Sequence, residues 1–388
     1  MIFSPPALYF DNALVIDAET SATLTSLRLA RGRVAGVGVK AQRDDRVFNL
    51  GGSIVLPGLI NAHDHLHMNH FPHLKYRDVY AHAHDWSLDI EPRLDTDPVI
   101  VAGRAVPLNE RLFFGGLKNL LSGVTTVAHH DPTYAALRRR FPVRVVPRCG
   151  WCHSLQRGGD VAQSYRQTPR DWPWIIHLAE GTNAEAAHEL DRLETLGCLQ
   201  PNTIVAHGVG LTAAQRAKLI ECGGGLIWCP SSNEFLLGQT AHVSDLAHAH
   251  RLALGSDSRL TGSRDLLDEM GYAQATRQIS QMELLRAVTL DAAHLLRLDD
   301  VGHLTVGARA DVLILPPDEP WAALGRMRCA DVRAVLLDGI ARIAEPDLAA
   351  LLPDGARCRV DGRDRLLERN LIERYQRCAI RETGLDLN

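Results

Sequence analysis

Over roughly the first sixty residues, apolar and polar positions alternate with period two, the pattern of half-buried strands. Ala13-Leu14-Val15-Ile16, Ser26-Leu27-Arg28-Leu29, Val34-Ala35-Gly36-Val37 and Val47-Phe48-Asn49-Leu50 are separated by Gly, Asp and Asn turn residues. Strand-like segments return at Asp311-Val312-Leu313-Ile314-Leu315 and Val332-Arg333-Ala334-Val335-Leu336-Leu337. Between them the pattern changes to short continuous apolar runs alternating with helical periodicity. The runs are Gly58–His63, Gly123–Ala128, Val143–Arg148, Trp174–Leu178, Thr203–His207, Gly225–Cys229 and Leu252–Ser256, and amphipathic stretches such as Ala184–Leu196 and Thr212–Cys222 separate them. Repeated βα units predict a parallel sheet, and this many predict closure into a (β/α)₈ barrel of the TIM type. Seven strands are clear. The eighth is expected within Cys149–Trp172, a segment short for a full βα unit, so one unit is expected to be truncated or irregular.

The expected organisation is therefore a small β-sandwich built from both termini (1–55 and 311–345) around a barrel at 56–310. A helical extension is expected at 346–388, because 361–382 carries apolar residues at helical spacing among charges.

Composition narrows the function. The 388-residue chain is 46% hydrophobic and 23% charged with a formal charge of −4, an ordinary globular balance without a basic stripe, so nucleic acid is not the expected partner. No apolar run approaches the roughly 18 residues of a membrane span, no signal peptide precedes the first strands, and a cytoplasmic location is expected. Eight scattered cysteines read as free thiols rather than a disulfide framework. Cys149-Gly150-Trp151-Cys152-His153 spells a redox or haem-attachment motif, but it follows a strand instead of opening a helix, and is read as coincidence.

Chemistry-bearing side chains collect where the strands end, the face on which barrel active sites are built. The first strand ends His63-Asp64-His65, and residues two apart on a strand share a side, so both rings can reach one ion. The fourth clear strand ends His177-Leu178-Ala179-Glu180, the fifth ends at His207, and the last ends Gly255-Ser256-Asp257. Taken singly, each has a plainer reading: a chance His-x-His, a satisfied core histidine, a turn or cap aspartate. Their joint occurrence at successive strand ends points to a zinc-type or iron-type shell.

These residues carry a family resemblance. Leu56-Pro57-Gly58-Leu59-Ile60-Asn61-Ala62-His63-Asp64-His65 resembles the first-strand signature of the amidohydrolase superfamily. His177-Leu178-Ala179-Glu180-Gly181, His207-Gly208-Val209-Gly210-Leu211, Cys229-Pro230-Ser231-Ser232-Asn233 and Leu254-Gly255-Ser256-Asp257-Ser258 resemble its later motifs. The set is similar to the deaminase and chlorohydrolase branch, which includes guanine, cytosine and S-adenosylhomocysteine deaminases. Gly307-Ala308-Arg309-Ala310-Asp311-Val312 resembles the family's return into its β-sandwich.

The resemblance implies one divalent ion, zinc with iron as the alternative, held by His63, His65, His177 and Asp257, with His207 beside it. The two-metal branch uses a carboxylated lysine on the fourth strand, and no lysine lies between Lys118 and Lys218. The implied reaction is that of an aminohydrolase. A bound ion lowers the pKa of its water toward ~7, Asp257 takes the proton, and hydroxide attacks an sp² carbon of a nitrogen heterocycle or amidine. His207 steadies the developing oxygen charge, and Glu180 protonates the leaving nitrogen, so that ammonia departs. Hydrolysis of a cyclic amide or another C–N or C–X bond at the same mononuclear site is the alternative, and a scaffold that has lost catalysis is disfavoured by the intact set.

Trp86, which resembles a tryptophan carried by many deaminases, is expected to face a small-molecule substrate, as are His129, His130, Trp151, His153 and Gln156. Packing is the plainer alternative for each. The histidine-rich run His67, His70, His73, His82 and His84 is expected to be a solvated or substrate-facing loop. A homodimer is the family's expectation.

Overall fold

A computed structural model describes residues 6–17, 22–138, 140–157, 159–319, 321 and 324–387. The outermost parts of the expected 1–55 and 346–388 segments, at 1–5, 18–21 and 388, lie outside these.

Five strands near the N-terminus and six near the C-terminus form one eleven-stranded sheet. The two groups meet where Ile54–Pro57 pairs antiparallel with Val312–Leu315. Strand alternation gives this sheet two buried faces. Val312 and Ile314 pack into a core of their own with Phe10, Leu27 and Leu336. Leu313 and Leu315 join the cluster that holds Leu120 and Val124 of the central unit.

The central unit carries parallel strand segments at Leu59–Asp64, Val124–His129, Arg144–Val145, Gly150–Cys152, Trp174–Leu178, Thr203–His207, Gly225–Trp228 and Leu252–Leu254, arranged as a three-stranded and a five-stranded sheet. Trp174–Leu178 and Thr203–His207 are buried throughout, as parallel strands covered on both faces must be. The first and last strands meet at a parallel bridge between Asp64 and Asp257. Gly255 permits that approach, since a Cβ there would lie 2.5 Å from His63 Cβ. The fold is a TIM-type α/β barrel.

Arg144–Val145 pairs back to Val124–His129, while Gly150–Cys152 pairs forward to Trp174–Leu178. Only residues 146–149 separate them, too few for the crossover that two neighbouring parallel strands need. They therefore occupy one place in the wall, and this is where the βα unit is truncated. Among the described residues, the connection onward holds a single short helix, Val161–Gln167.

The C-terminal segment departs from the expected helical extension. It adds strands Ala356–Val360, Arg363–Leu367 and Leu385–Leu387 to the sheet, with one helix at Arg369–Arg377. The reason is local: Asp361-Gly362 turns with φ of 46° and 79°, the left-handed pair that a tight hairpin requires. Among the described residues, no helix is long and apolar enough to cross a membrane.

Candidate metal centre and cavity

The strand ends bring His63, His65, His177 and Asp257 together. His63 Nε2 and His65 Nε2 lie 3.2 and 3.3 Å from His177 Nε2. Asp257 Oδ1 lies 3.8 and 3.5 Å from the first two nitrogens. Nitrogens bound tetrahedrally to one zinc at ~2.0–2.1 Å would sit roughly 3.3 Å apart, so the spacing fits such an ion.

The outer nitrogens set the tautomers. His177 Nδ1–H donates to the His153 carbonyl at 2.8 Å, and His65 Nδ1–H to Asp131 Oδ2 at 2.6 Å. His130 Nε2–H donates to the Cys152 carbonyl at 3.0 Å, leaving its Nδ1 to accept from His63 Nδ1, 3.3 Å away. Each ligand ring is thereby left with a bare Nε2 facing the other two, the arrangement that outer partners impose on metal-bound histidines. Although His130 clusters with the three rings, both of its nitrogens are already committed.

Burial holds His63, His130 and His177 in the neutral form. At His65 burial works the same way, but the charge and hydrogen bond of Asp131 outweigh it and push the pKa up to about 9. That field favours positive charge at this ring, which a metal cation supplies as well as a proton does. Asp257 stays ionised. Burial opposes its charge, yet His65, His207 and hydroxyl donors overcome the penalty, Ser232 at 2.7 Å and Thr261 at 2.9 Å, both on Oδ2.

His207 Nδ1–H donates to Asn233 Oδ1 at 2.8 Å, which leaves Nε2 as the nitrogen free for chemistry. Asn233 is turned by its other end, Nδ2 donating to Thr240. Glu180 is largely enclosed in the cavity wall, its Oε1 3.6 Å from His207 Nδ1, and loss of solvent raises its pKa. Ala179, His207 and Asp257 all have left-handed backbones, with φ of 53°, 74° and 53°. Such conformations cost a non-glycine residue about 1–3 kcal/mol each. Surrounding bonds over-determine them: Ala179 N–H donates to Glu189, and Asp257 N–H to the His63 carbonyl.

His65, His177, Glu180, His207 and Asp257 line a cavity of about 430 Å³, within the range of small-molecule sites. Phe71, Leu74, Trp86, Ile90, Leu94 and Leu236 supply apolar wall. Of the six expected substrate residues, Trp86, His153 and Gln156 line the cavity. His129, His130 and Trp151 do not, a correction with a plain cause. His130 is spent behind His63, Trp151 packs edge-on against His130 at 5.6 Å, and His129 turns toward the Asp64 carbonyl. Trp86 Nε1–H is also spent, on the Leu74 carbonyl, so its ring offers only a surface. Gln156 donates from Nε2 to Glu185 and Glu189. Carboxylates only accept, so the amide orientation follows, and the buried, unpartnered Oε1 is an acceptor.

The histidine run divides in the same way. His70 and His73 bond the carbonyls of Gly103 and Gly262, His82 pairs with Glu189, and His67, His82 and His84 line the cavity.

Several supporting residues escape sequence reading. Lys118 is fully buried behind the first strand, 3.1 Å from Asp64 Oδ2 and 2.8 Å from Asn69 Oδ1. Asn119 Nδ2 donates to the same Asp64 oxygen at 2.8 Å. The available signal was the polar pair Lys118-Asn119 in the otherwise apolar later turns of the helix Leu108–Leu121. Asn233 lay inside a quoted motif without an assigned role.

Comparison with known proteins adds independent findings. The model of the Amidohydrolase family matches residues 174–348. A 5-methylthioadenosine/S-adenosylhomocysteine deaminase of Haloarcula marismortui is 30% identical over 331 residues, 71% of this chain and 76% of that one. An 8-oxoguanine deaminase of Pseudomonas aeruginosa is 31% identical over 207 residues, 45% and 46% of the two chains. Among solved structures, a zinc-bound adenosine deaminase from Xanthomonas campestris superposes with a TM-score of 0.69 at 19% identity, over 97% and 99% of the chains.

Proposed function

The chain belongs to the amidohydrolase family, metal-dependent hydrolases of carbon–nitrogen bonds, and from that premise we propose that it deaminates an amino-bearing nitrogen heterocycle. The observation that carries this reading is the convergence of three bare imidazole nitrogens and Asp257 beside a cavity that Glu180 also lines.

His63, His65, His177 and Asp257 would hold the ion. A bound divalent ion supplies Lewis acidity and lowers the pKa of water toward ~7. Asp257 has Oδ2 tied to Ser232 and Thr261, so Oδ1, the oxygen nearest the histidine nitrogens, would face the ion and is also placed to take a proton from the attacking water. His207, its Nδ1 proton fixed by Asn233, presents Nε2. Donation to a developing oxyanion therefore needs the ring charged, whereas the neutral ring takes up a proton. Glu180, its pKa raised by burial, carries the proton that the departing nitrogen requires.

The substrate class follows from the walls. Gln156 Oε1 asks for an N–H on the ring, and the apolar side accommodates a flat ring with an extension. Deaminases of two purine-type substrates among the relatives favour an aminopurine or a comparable amino heterocycle. Eight cysteines without a disulfide favour a reducing compartment such as the cytoplasm.

The test is ammonia release by the purified protein across a panel of aminated heterocycles, with and without chelator. Chelator-sensitive release, restored by zinc, is expected from at least one. Hydrolysis of cyclic amides or exocyclic substituents with no ammonia would overturn deamination and move the reaction to another C–N or C–X bond.

A further inference from the structure

Next to this centre lies a second convergence of ligand-type side chains. His67 sits on the short turn Leu66–Met68, His129 ends the strand Val124–His129, and Asp131 follows two residues later. One candidate ligand atom from each lies within 4.8 Å of the others, and His67 Nδ1 is 3.6 Å from Asp131 Oδ2.

Two of these nitrogens are orphans. His67 Nδ1 and His129 Nε2 are shielded from solvent and have no hydrogen-bond partner. Leaving a buried polar atom unpaired typically costs about 1–3 kcal/mol, so two in one cluster need an explanation. At His129, Nδ1 lies 3.3 Å from the Asp64 carbonyl and 3.4 Å from the Leu66 N–H, and the tautomer that donates to the carbonyl leaves Nε2 bare for a cation. What the cluster lacks is an electron-pair acceptor.

We propose that His67, His129 and Asp131 form a second divalent-cation site, of the zinc or cobalt class, with two imidazoles and one carboxylate as ligands. Such a donor set suits first-row divalent ions and leaves coordination positions open. His67 lines the cavity, so the open side faces the space a substrate would occupy. The site is the weaker of the two, because it has one ligand fewer and lies in the field of the Arg111 guanidinium. It is also coupled to the first. Asp131 Oδ2 accepts from His65 Nδ1, and a cation drawing on that carboxylate loosens its hold on the ligand ring. Two conditions of one carboxylate thus connect occupancy of the second site to the first centre.

The test needs no substrate. Metal-free full-length protein is dialysed against rising zinc, or cobalt for its visible spectrum, and bound metal is counted. Wild type is expected to bind two equivalents in a tighter and a weaker step, the latter at least tenfold weaker. His67→Ala and His129→Gln should each remove the weaker step and keep the tighter one, which also shows that the variants are folded. His63→Ala should spare the weaker step, so failure of the first centre is distinguishable from failure of the second. Metal uptake that His67→Ala and His129→Gln leave unchanged, or a wild type that stops at one equivalent lost only in His63→Ala, would overturn the proposal.

Discussion

Glu180, largely enclosed in the cavity wall, and Glu269, fully buried, both have raised pKa values, and their surroundings assign them different work. Glu180 lines the cavity within reach of His207 and must carry a proton to use it. Replacing it with Gln removes a positioned acid, and kcat is expected to fall about 10²–10⁴-fold with metal content unchanged. Because burial raises the pKa, the protonated form persists to higher pH than for an exposed glutamate, and activity that depends on it declines as pH rises through that value. A Glu180→Gln enzyme with full kcat would remove Glu180 from the reaction. Glu269 is instead enclosed by Ser231 and Ser263, and burial pushes its pKa from 4.5 to about 7. The folded state then binds more protons than the unfolded state between these values, so stability is lost as pH rises through that window. By linkage the loss is on the order of 3 kcal/mol. Glu269→Gln can keep the serine contacts without a charge, and its melting temperature should lose most of this pH dependence. An identical slope in both proteins would contradict the assignment.

The helix Leu108–Leu121 shows what an element contributes. It places Lys118 and Asn119 behind the strand Leu59–Asp64, where they fix Asp64 between the two ligand histidines. Lys118→Met leaves that carboxylate buried without its cation. Removing one partner of a buried pair typically costs about 3–5 kcal/mol, which thermal unfolding would register, and zinc affinity should drop roughly 10–100-fold with it. Wild-type stability and affinity in the variant would mean that the pair does not position the strand. Elements were legible in the sequence where they repeat one period. The runs at Trp174–Leu178 and Thr203–His207 read directly as strands. The Asp361-Gly362 hairpin did not, because charged residues on its exposed face imitate helical spacing, and only the turn dipeptide gave it away. Positions of the ligand-type residues at strand ends were legible for the same reason as the strands. Which neighbours were spent on second contacts, as His130 and Trp151 are, depends on cross-strand geometry that no local pattern carries.

Across the whole molecule, the barrel and the terminal sheet are tied by charge as well as by Leu313 and Leu315. Arg144, on the barrel wall, pairs with Asp311 and Asp338 of the sheet region, and Asp311 is almost fully buried. Arg144→Met should therefore destabilise the protein by roughly 3 kcal/mol, since the buried carboxylate loses its partner. An unchanged melting temperature would show that the apolar contact alone joins the two parts. That union matters to the site, because Arg144 belongs to the same irregular wall segment whose other leg delivers the His153 carbonyl to His177. The central claim is that this architecture converges three rings and one carboxylate on a single ion. Anomalous diffraction at the zinc edge, from crystals grown with one equivalent of zinc, tests it most directly. The account predicts one peak within ~2.0–2.2 Å of His63 Nε2, His65 Nε2, His177 Nε2 and an Asp257 oxygen. A peak centred on His130, or none among these residues, would contradict it.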